Sequence, residues 1–203
     1  MAEQIIDGIG NGYRAQVDSD HRLHVNSVTR LQVEQAVLLS EAYNVSTGTM
    51  TLTSANESAV GYFKYNGDQP VVIKEILVIL GTSTGGSGSG VIKILKNPTL
   101  GTIIDEAKPV STASNRDFGS SKTVDAEAYK GEEGDTLTDG DIFAITSRDS
   151  GFDGVVSFDA APIVLRKGNA IGITFTPATG NTSQSVVVAG TLFIETAKVS
   201  GDL

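Results

Sequence analysis

Residues 71–80, VVIKEILVIL, are the most demanding stretch of the chain. They are apolar on both alternating faces, and only Lys74 and Glu75 interrupt them. β-Branched side chains suit a pleated strand better than a helix. A strand that is apolar on both faces belongs at the centre of a sheet covered on both sides. With two charges in ten residues, the run is also too short to cross a bilayer of about 30 Å as a helix. A chain that carries it must supply neighbouring strands and further layers.

The rest of the sequence offers them. GTMTLTS (48–54), AVGYFKYN (59–66), VIKILKNP (91–98), DIFAITS (141–147), GVVSFDAAPIVL (154–165), AIGITFTP (170–177) and SVVVAGTLFIET (185–196) are short, β-branched and separated by turn formers. GTIID (101–105) reads as a strand returning beside 91–98, and GTSTGGSGSG (81–90) as a flexible loop. Residues 105–140 are polar and glycine-rich, with one short strand or helical turn near Val124–Tyr129. The expected fold is mainly β, an antiparallel β-sandwich or jelly roll.

Two segments precede this body. In YRAQVD (13–18), Tyr13, Ala15 and Val17 alternate with Arg14, Gln16 and Asp18. After the turn-like SDHR, Leu23 and Val25 alternate with His24 and Asn26. This is the pattern of a hairpin, and an isolated hairpin is marginal in water, so the segment must lean on something else. Residues 30–43 change period: Leu31, Gln35, Leu38, Leu39 and Ala42 approach a helical stripe, with Thr29 as cap and Asn44 as stop. The expected organisation is an extended arm over 1–30, a short helical linker over 31–44 and the sandwich over 45–203.

Composition removes several functions. With no cysteine, disulfides, thiolate metal sites and cysteine nucleophiles are excluded. A net charge of −9 opposes binding to nucleic acid or to anionic membranes. The opening MAEQIIDGIG has no positive region followed by an apolar one, so no signal peptide is expected. TGGSGSGVIK lacks the Gly-Lys-Ser/Thr of a phosphate loop and leads into a strand. His21 and His24, the only histidines, lie three apart in a strand pattern, which sets them against sharing one metal. Glu132, Glu133, Asp135, Asp139 and Asp141 crowd one loop without EF-hand spacing, and a solvated acidic loop is the expectation. Aromatics are few, and Tyr129 and Phe152, the notable loop candidates for a glycan surface, read as packing residues. No catalytic residue, cofactor site or metal site is nominated, and no enzyme is expected.

Several stretches carry a resemblance. DGIGNGYRAQVDSDHRLHVNSVT and EAYNVSTGTMTLTSANESAVGYFKYNGDQPVVI, with the later KNPTLGTII, SNRDFGSS and AYKGEEGDTLTDG, resemble a group of tailed-bacteriophage virion structural proteins. The resemblance runs over most of the chain. It implies a non-enzymatic virion protein, assembled in the host cytoplasm, of the capsid decoration or cement kind. Such a protein would dock on the major capsid protein or other virion proteins and on its own copies, with a trimer favoured. The arm would dock by backbone pairing, with Tyr13, Arg14, Val17, His21, Leu23 and Val25 at the interface. The alternative is a tail, baseplate or fibre component that joins parts or meets a host-surface glycan.

Overall fold

The computed structural model describes residues 5–6, 14–17, 23–24, 32–110, 112–158 and 163–194. The chain divides into two compact units, Met1–Leu31 and Gln32–Leu203. In the first, β1 (Ile5–Ile6), β2 (Arg14–Val17) and β3 (Leu23–His24) form an antiparallel sheet in that order. Two of these strands are the expected hairpin; the third, β1, adds a pairing that the sequence did not signal.

The second unit begins with a short helix, α1 (Gln32–Leu38). Strands β4 (Ala42–Ser46), β5 (Met50–Leu52), β6 (Ser58–Tyr65), β7 (Val71–Leu80), β8 (Thr84–Ser87) and β9 (Ser89–Lys96) follow. A long excursion over residues 97–140 carries helix α2 (Thr102–Glu106) and strands β10 (Thr112–Asn115) and β11 (Ala126–Lys130). Then come β12 (Asp141–Asp149), β13 (Gly154–Phe158), β14 (Ile163–Leu165), β15 (Ala170–Thr176) and β16 (Thr179–Ile194).

One sheet runs β10-β4-β16-β7-β13, with β14 continuing beside β7 and β5 and β8 beside β16; the other runs β11-β6-β15-β9-β12. All pairings are antiparallel. Without the excursion, the first sheet reads β4-β16-β7-β13/β14 and the second β6-β15-β9-β12. This interleaving of early and late strands, with the chain crossing between sheets at nearly every step, is the jelly roll. The excursion then adds β10 to the β4 edge and β11 to the β6 edge. Both added strands therefore lie on the same side of the sandwich. On the other side, β12 and β13/β14 end their sheets.

The core lies between the sheets. Val78 and Leu80 of β7, Ile92 and Ile94 of β9, Phe175 of β15 and Val186 of β16 are fully enclosed there. A β-bulge makes the ten-residue run fit. Thr191 pairs with Glu75 and Leu192 with Ile73, so Lys74 is the extra residue. Val71 and Ile73 before the bulge, and Ile76, Val78 and Leu80 after it, thus all point inward. The strand is central, between β16 and β13/β14, as its composition demands. Its outer face is only partly covered, contrary to the expectation: α1 shields Val72 through Ala36 and Val37, while Lys74 and Ile79 meet solvent.

The excursion is fastened to the second sheet. Ile103 of α2 packs on the outer face with Ala59, Tyr62 and Ala170, backed by Tyr129 and Leu137. Asp135, buried in the acidic loop, accepts hydrogen bonds from Thr102 Oγ1 (3.0 Å) and the Glu132 amide (2.7 Å), and its carbonyl accepts from the Ala59 amide (2.7 Å). Gly131 is obligatory here, because a Cβ would collide with the Ala59 carbonyl oxygen.

Three local expectations change. GTIID is the helix α2 rather than a strand: Gly101, at φ 140°, turns the chain, and Ile103 is buried by facing the sheet from outside. Within the 81–90 segment, Thr84–Ser87 form β8, which pairs with β16 from Ser87↔Thr179 to Thr84↔Ser183. Gly85, Gly86 and Gly88, all at positive φ, provide the bends it needs. The linker expected over 31–44 is shorter, because Ala42 and Tyr43 are already buried members of β4.

Replacing Val78 with Asp should abolish folding of the second unit, since a lone carboxylate would be enclosed between the sheets. Leu80→Ala should leave the fold intact and cost about 2–5 kcal/mol in denaturant titrations. Gly131→Ala should cost about 1–3 kcal/mol and speed hydrogen exchange across 97–140 more than in β7.

Candidate functional site

Of the six arm residues nominated from sequence, Arg14 and Val17 lie in β2 and Leu23 in β3. Val17 stands opposite Leu23 in the ladder, and Arg14 opposite Ile6. Tyr13, His21 and Val25 fall outside the described residues.

In the second unit, many polar side chains are committed to structure. Glu132, Glu133 and Asp135 of the acidic loop are drawn to separate partners. Glu132 pairs with Lys108 (2.9 Å), Glu133 accepts from Thr53 Oγ1 (2.6 Å), and Asp135 holds the excursion as described. Lys108 also pairs with Glu106, and the two carboxylates hold its ammonium well above the usual lysine range. Among the described residues no three metal-ligating side chains converge. Tyr62 and Tyr129 stack with ring centroids 5.8 Å apart and an 11° interplanar angle. Burial, then the charge of Glu127 and the neighbouring Tyr129, pushes the Tyr62 phenol up to about 12. Phe152 packs against the core, with the Arg148 guanidinium 5.6 Å from its ring centroid. Tyr129 and Phe152 are therefore packing residues, as read from sequence.

Among the apolar groups that the described residues expose, two features stand out. The first is the edge strand β12, where Ile142 (58% exposed), Phe143 (57%) and Ile145 (61%) project from the sandwich. Ile142 pairs with Leu95 and Ala144 with Ile94, so Phe143 is a bulge residue. Phe143 turns toward β14 and, with Ile163, Val164 and Leu165, lines a groove of about 600 Å³ floored by Ile94 and Ile171. Edge strands in soluble proteins normally carry charge or are covered, because an unpaired backbone edge flanked by apolar groups invites another strand. In β12 the charges, Asp141, Arg148 and Asp149, stand only at the ends.

The second feature is Phe118, 99% exposed on the turn 117–120. The turn is tightly braced. Ser120 N donates to Asp117 O (2.9 Å), and Asp117 accepts from the Gly119 amide (3.1 Å) and from Ser40 Oγ (2.6 Å). Asn115 accepts from the Asp117 amide (2.9 Å) and donates to Ser40 O (2.8 Å). An apolar ring held out on a fixed turn is a ready anchor for a partner pocket. Sequence reading passed over both features: IF and I in β12 look like core residues, and Phe118 is a single aromatic in a polar stretch.

No family model matches the chain, and no curated protein does. Solved structures give weak likenesses. The N-terminal endo-1,4-β-D-xylanase 10B of Clostridium thermocellum, as CBM22-1–GH10 modules complexed with xylohexaose, aligns over 81% of this chain and 28% of its own. Identity there is 9% and the TM-score 0.29. T=1 particles derived from infectious bursal virus align over 80% of this chain and 42% of theirs, at 10% identity and a TM-score of 0.18. The VP2 subviral particle of infectious bursal disease virus aligns over 80% and 44%, at 8% identity and a TM-score of 0.16. Viral capsid protein is thus among the weak structural neighbours, and the chain spans less than half the length of each. Likenesses this remote carry no argument about function.

Acid should weaken the second unit through its paired carboxylates. Hydrogen bonds from Asn66 first, and then from Lys64 against the effect of burial, hold Glu127 below the glutamate value of 4.5. Ser40 and the Gly119 amide lower Asp117 below 3.8. Burial pushes Glu57 up, but hydrogen bonds from Lys93 Nζ (2.8 Å) and Thr174 Oγ1 (2.6 Å) outweigh it and leave the group below 4.5. Because these pKa values are lower folded than unfolded, their contribution is complete above pH 4.5 and is lost as pH falls through the folded values. Thermal melts should therefore hold their midpoint down to that pH and drop below it. Glu57→Gln should flatten the drop.

Proposed function

We propose that this chain is a non-enzymatic structural protein of a tailed-bacteriophage virion, a capsid decoration or cement protein whose jelly-roll body stands on the shell. The reading rests on the sequence resemblance and, in the structure, on one observation: Met1–Leu31 forms a small strand-bearing unit of its own, and Gln32–Leu203 holds its own core. A three-stranded sheet of two- and four-residue strands is too small to be stable alone. It gains order by lying against a larger surface, and the shell or a neighbouring copy provides one. Strand addition supplies the backbone pairing, with Tyr13, Arg14, Val17, His21, Leu23 and Val25 at the contact. Many equivalent sites on a particle then turn a modest contact into firm reinforcement.

The braced Phe118 tip favours a second reading, a tail, baseplate or fibre component that meets a host-surface glycan. Copies per particle separate the two, with hundreds expected for a shell protein and at most dozens for a tail part.

Deleting residues 2–28 should leave a folded β body that no longer enters particles when supplied during assembly. Incorporation of the truncated chain at the level of the intact one would remove the docking role from the arm. Phe118→Ala should leave incorporation unchanged under the shell reading and reduce host-cell binding under the second.

A further inference from the structure

We propose that β12 is a self-pairing edge through which two copies of this chain join their second sheets, antiparallel, across a two-fold axis. This inference goes beyond the role in the virion and does not use the arm. It begins from the asymmetry of the sandwich. The excursion closes one side with β10 and β11, while among the described residues the outer edge of β12 has no partner strand.

The sequence of that edge fits itself. Ile142 and Ile145 pair with Leu95 and Lys93, which lie two apart on β9 and so on the same face. The Phe143 bulge thus places Ile142 and Ile145, three apart in sequence, side by side on the outer face of the sheet. Set a second β12 antiparallel, with the axis between Phe143 and Ala144. Each Ile142 then stands opposite the second copy's Ile145, and each Phe143 opposite the second copy's Ala144. Without the bulge this register would put outward residues against inward ones; with it, every pair shares a face. Further along, Thr146 meets the second copy's Asp141, and Arg148 approaches its acidic Asp139–Asp141 end. No like charges are placed opposite one another, and the contact is isologous, so it closes at two copies instead of growing. The two-fold contact is distinct from any three-fold contact of a trimer.

Cysteine cross-linking of the full-length chain tests the register, because the natural sequence has no cysteine to interfere. Ile142→Cys and Ile145→Cys are made as separate proteins, and both positions are more than half exposed. Directly opposed residues have Cβ atoms about 5 Å apart, within reach of a disulfide. Like residues in the pair are diagonal neighbours, because the bulge leaves Ile142 and Ile145 two ladder positions apart; at about 7–8 Å they are poorly placed for a disulfide. Mild oxidation of the mixture should therefore give a linked dimer, and oxidation of either protein alone should give little. In parallel, sedimentation of the wild type should show dimers, with Ile145→Lys raising the dissociation constant by about tenfold or more and leaving the thermal melt unchanged. A monomeric wild type at the highest attainable concentration overturns the proposal. So does cross-linking no greater in the mixture than in either protein alone, or a dimer that Ile145→Lys leaves intact. Deleting residues 2–28 leaves β12 in place, so failure of the docking role and failure of this pairing are told apart.

Discussion

The second unit depends on the closure of two sheets over one shared apolar layer. Val78, Leu80, Ile92, Ile94, Phe175 and Val186 come from four strands, β7 and β9 near the middle of the chain and β15 and β16 near its end, and none could be hidden by its own strand and turn alone. Two β-bulges serve this layer. Lys74 in β7 and the extra residue Val60 in β6 reset the alternation midway, so long strands keep apolar groups inward along their whole length. Burial of this kind is roughly proportional to the apolar area removed from water, and it outweighs the local cost of a bulge.

Once the layer is closed, the edges become the question. The 97–140 excursion is held to the second sheet by Ile103, by the buried Asp135 and by the close approach that Gly131 permits. It extends both sheets on one side and leaves the other side ending in β12 and β13/β14. Proteins usually blunt such edges with charge, and here Ile142, Phe143 and Ile145 stand where charge is expected. The same excursion displays Phe118. The excursion therefore accounts both for what is covered on that side and for the most exposed aromatic ring among the described residues.

Several elements are legible in the residues alone. The VVIKEILVIL run is a central strand, and the other main strands lie where β-branched alternation places them. Helix α1 lies inside the segment whose period changes. The failures have physical causes. GTIID is too short for its period to tell strand from helix, and its isoleucine is buried by an outer-face contact that local pattern does not encode. GTSTGGSGSG has loop composition, yet part of it pairs because β16 runs far enough to meet it. The exposed apolar groups of β12 are unreadable for a simpler reason. An isoleucine in a strand gives the same signal whether or not a neighbouring strand covers it.

By itself, the sequence determined the material of this protein: strand-forming segments with inward and outward sides, one amphipathic helix, and no thiol with which to staple them. Side-chain type and spacing are local properties, and a chain carries them wherever it goes. Only the tertiary structure decided the strand order, the side of the sandwich that the excursion closes, and the edge that no described strand covers. Those outcomes depend on backbone hydrogen bonds between segments up to about 150 residues apart, as where β16 pairs with β4. Every strand offers the same N–H and C=O groups to any partner, so the choice among partners is made only when the whole core packs.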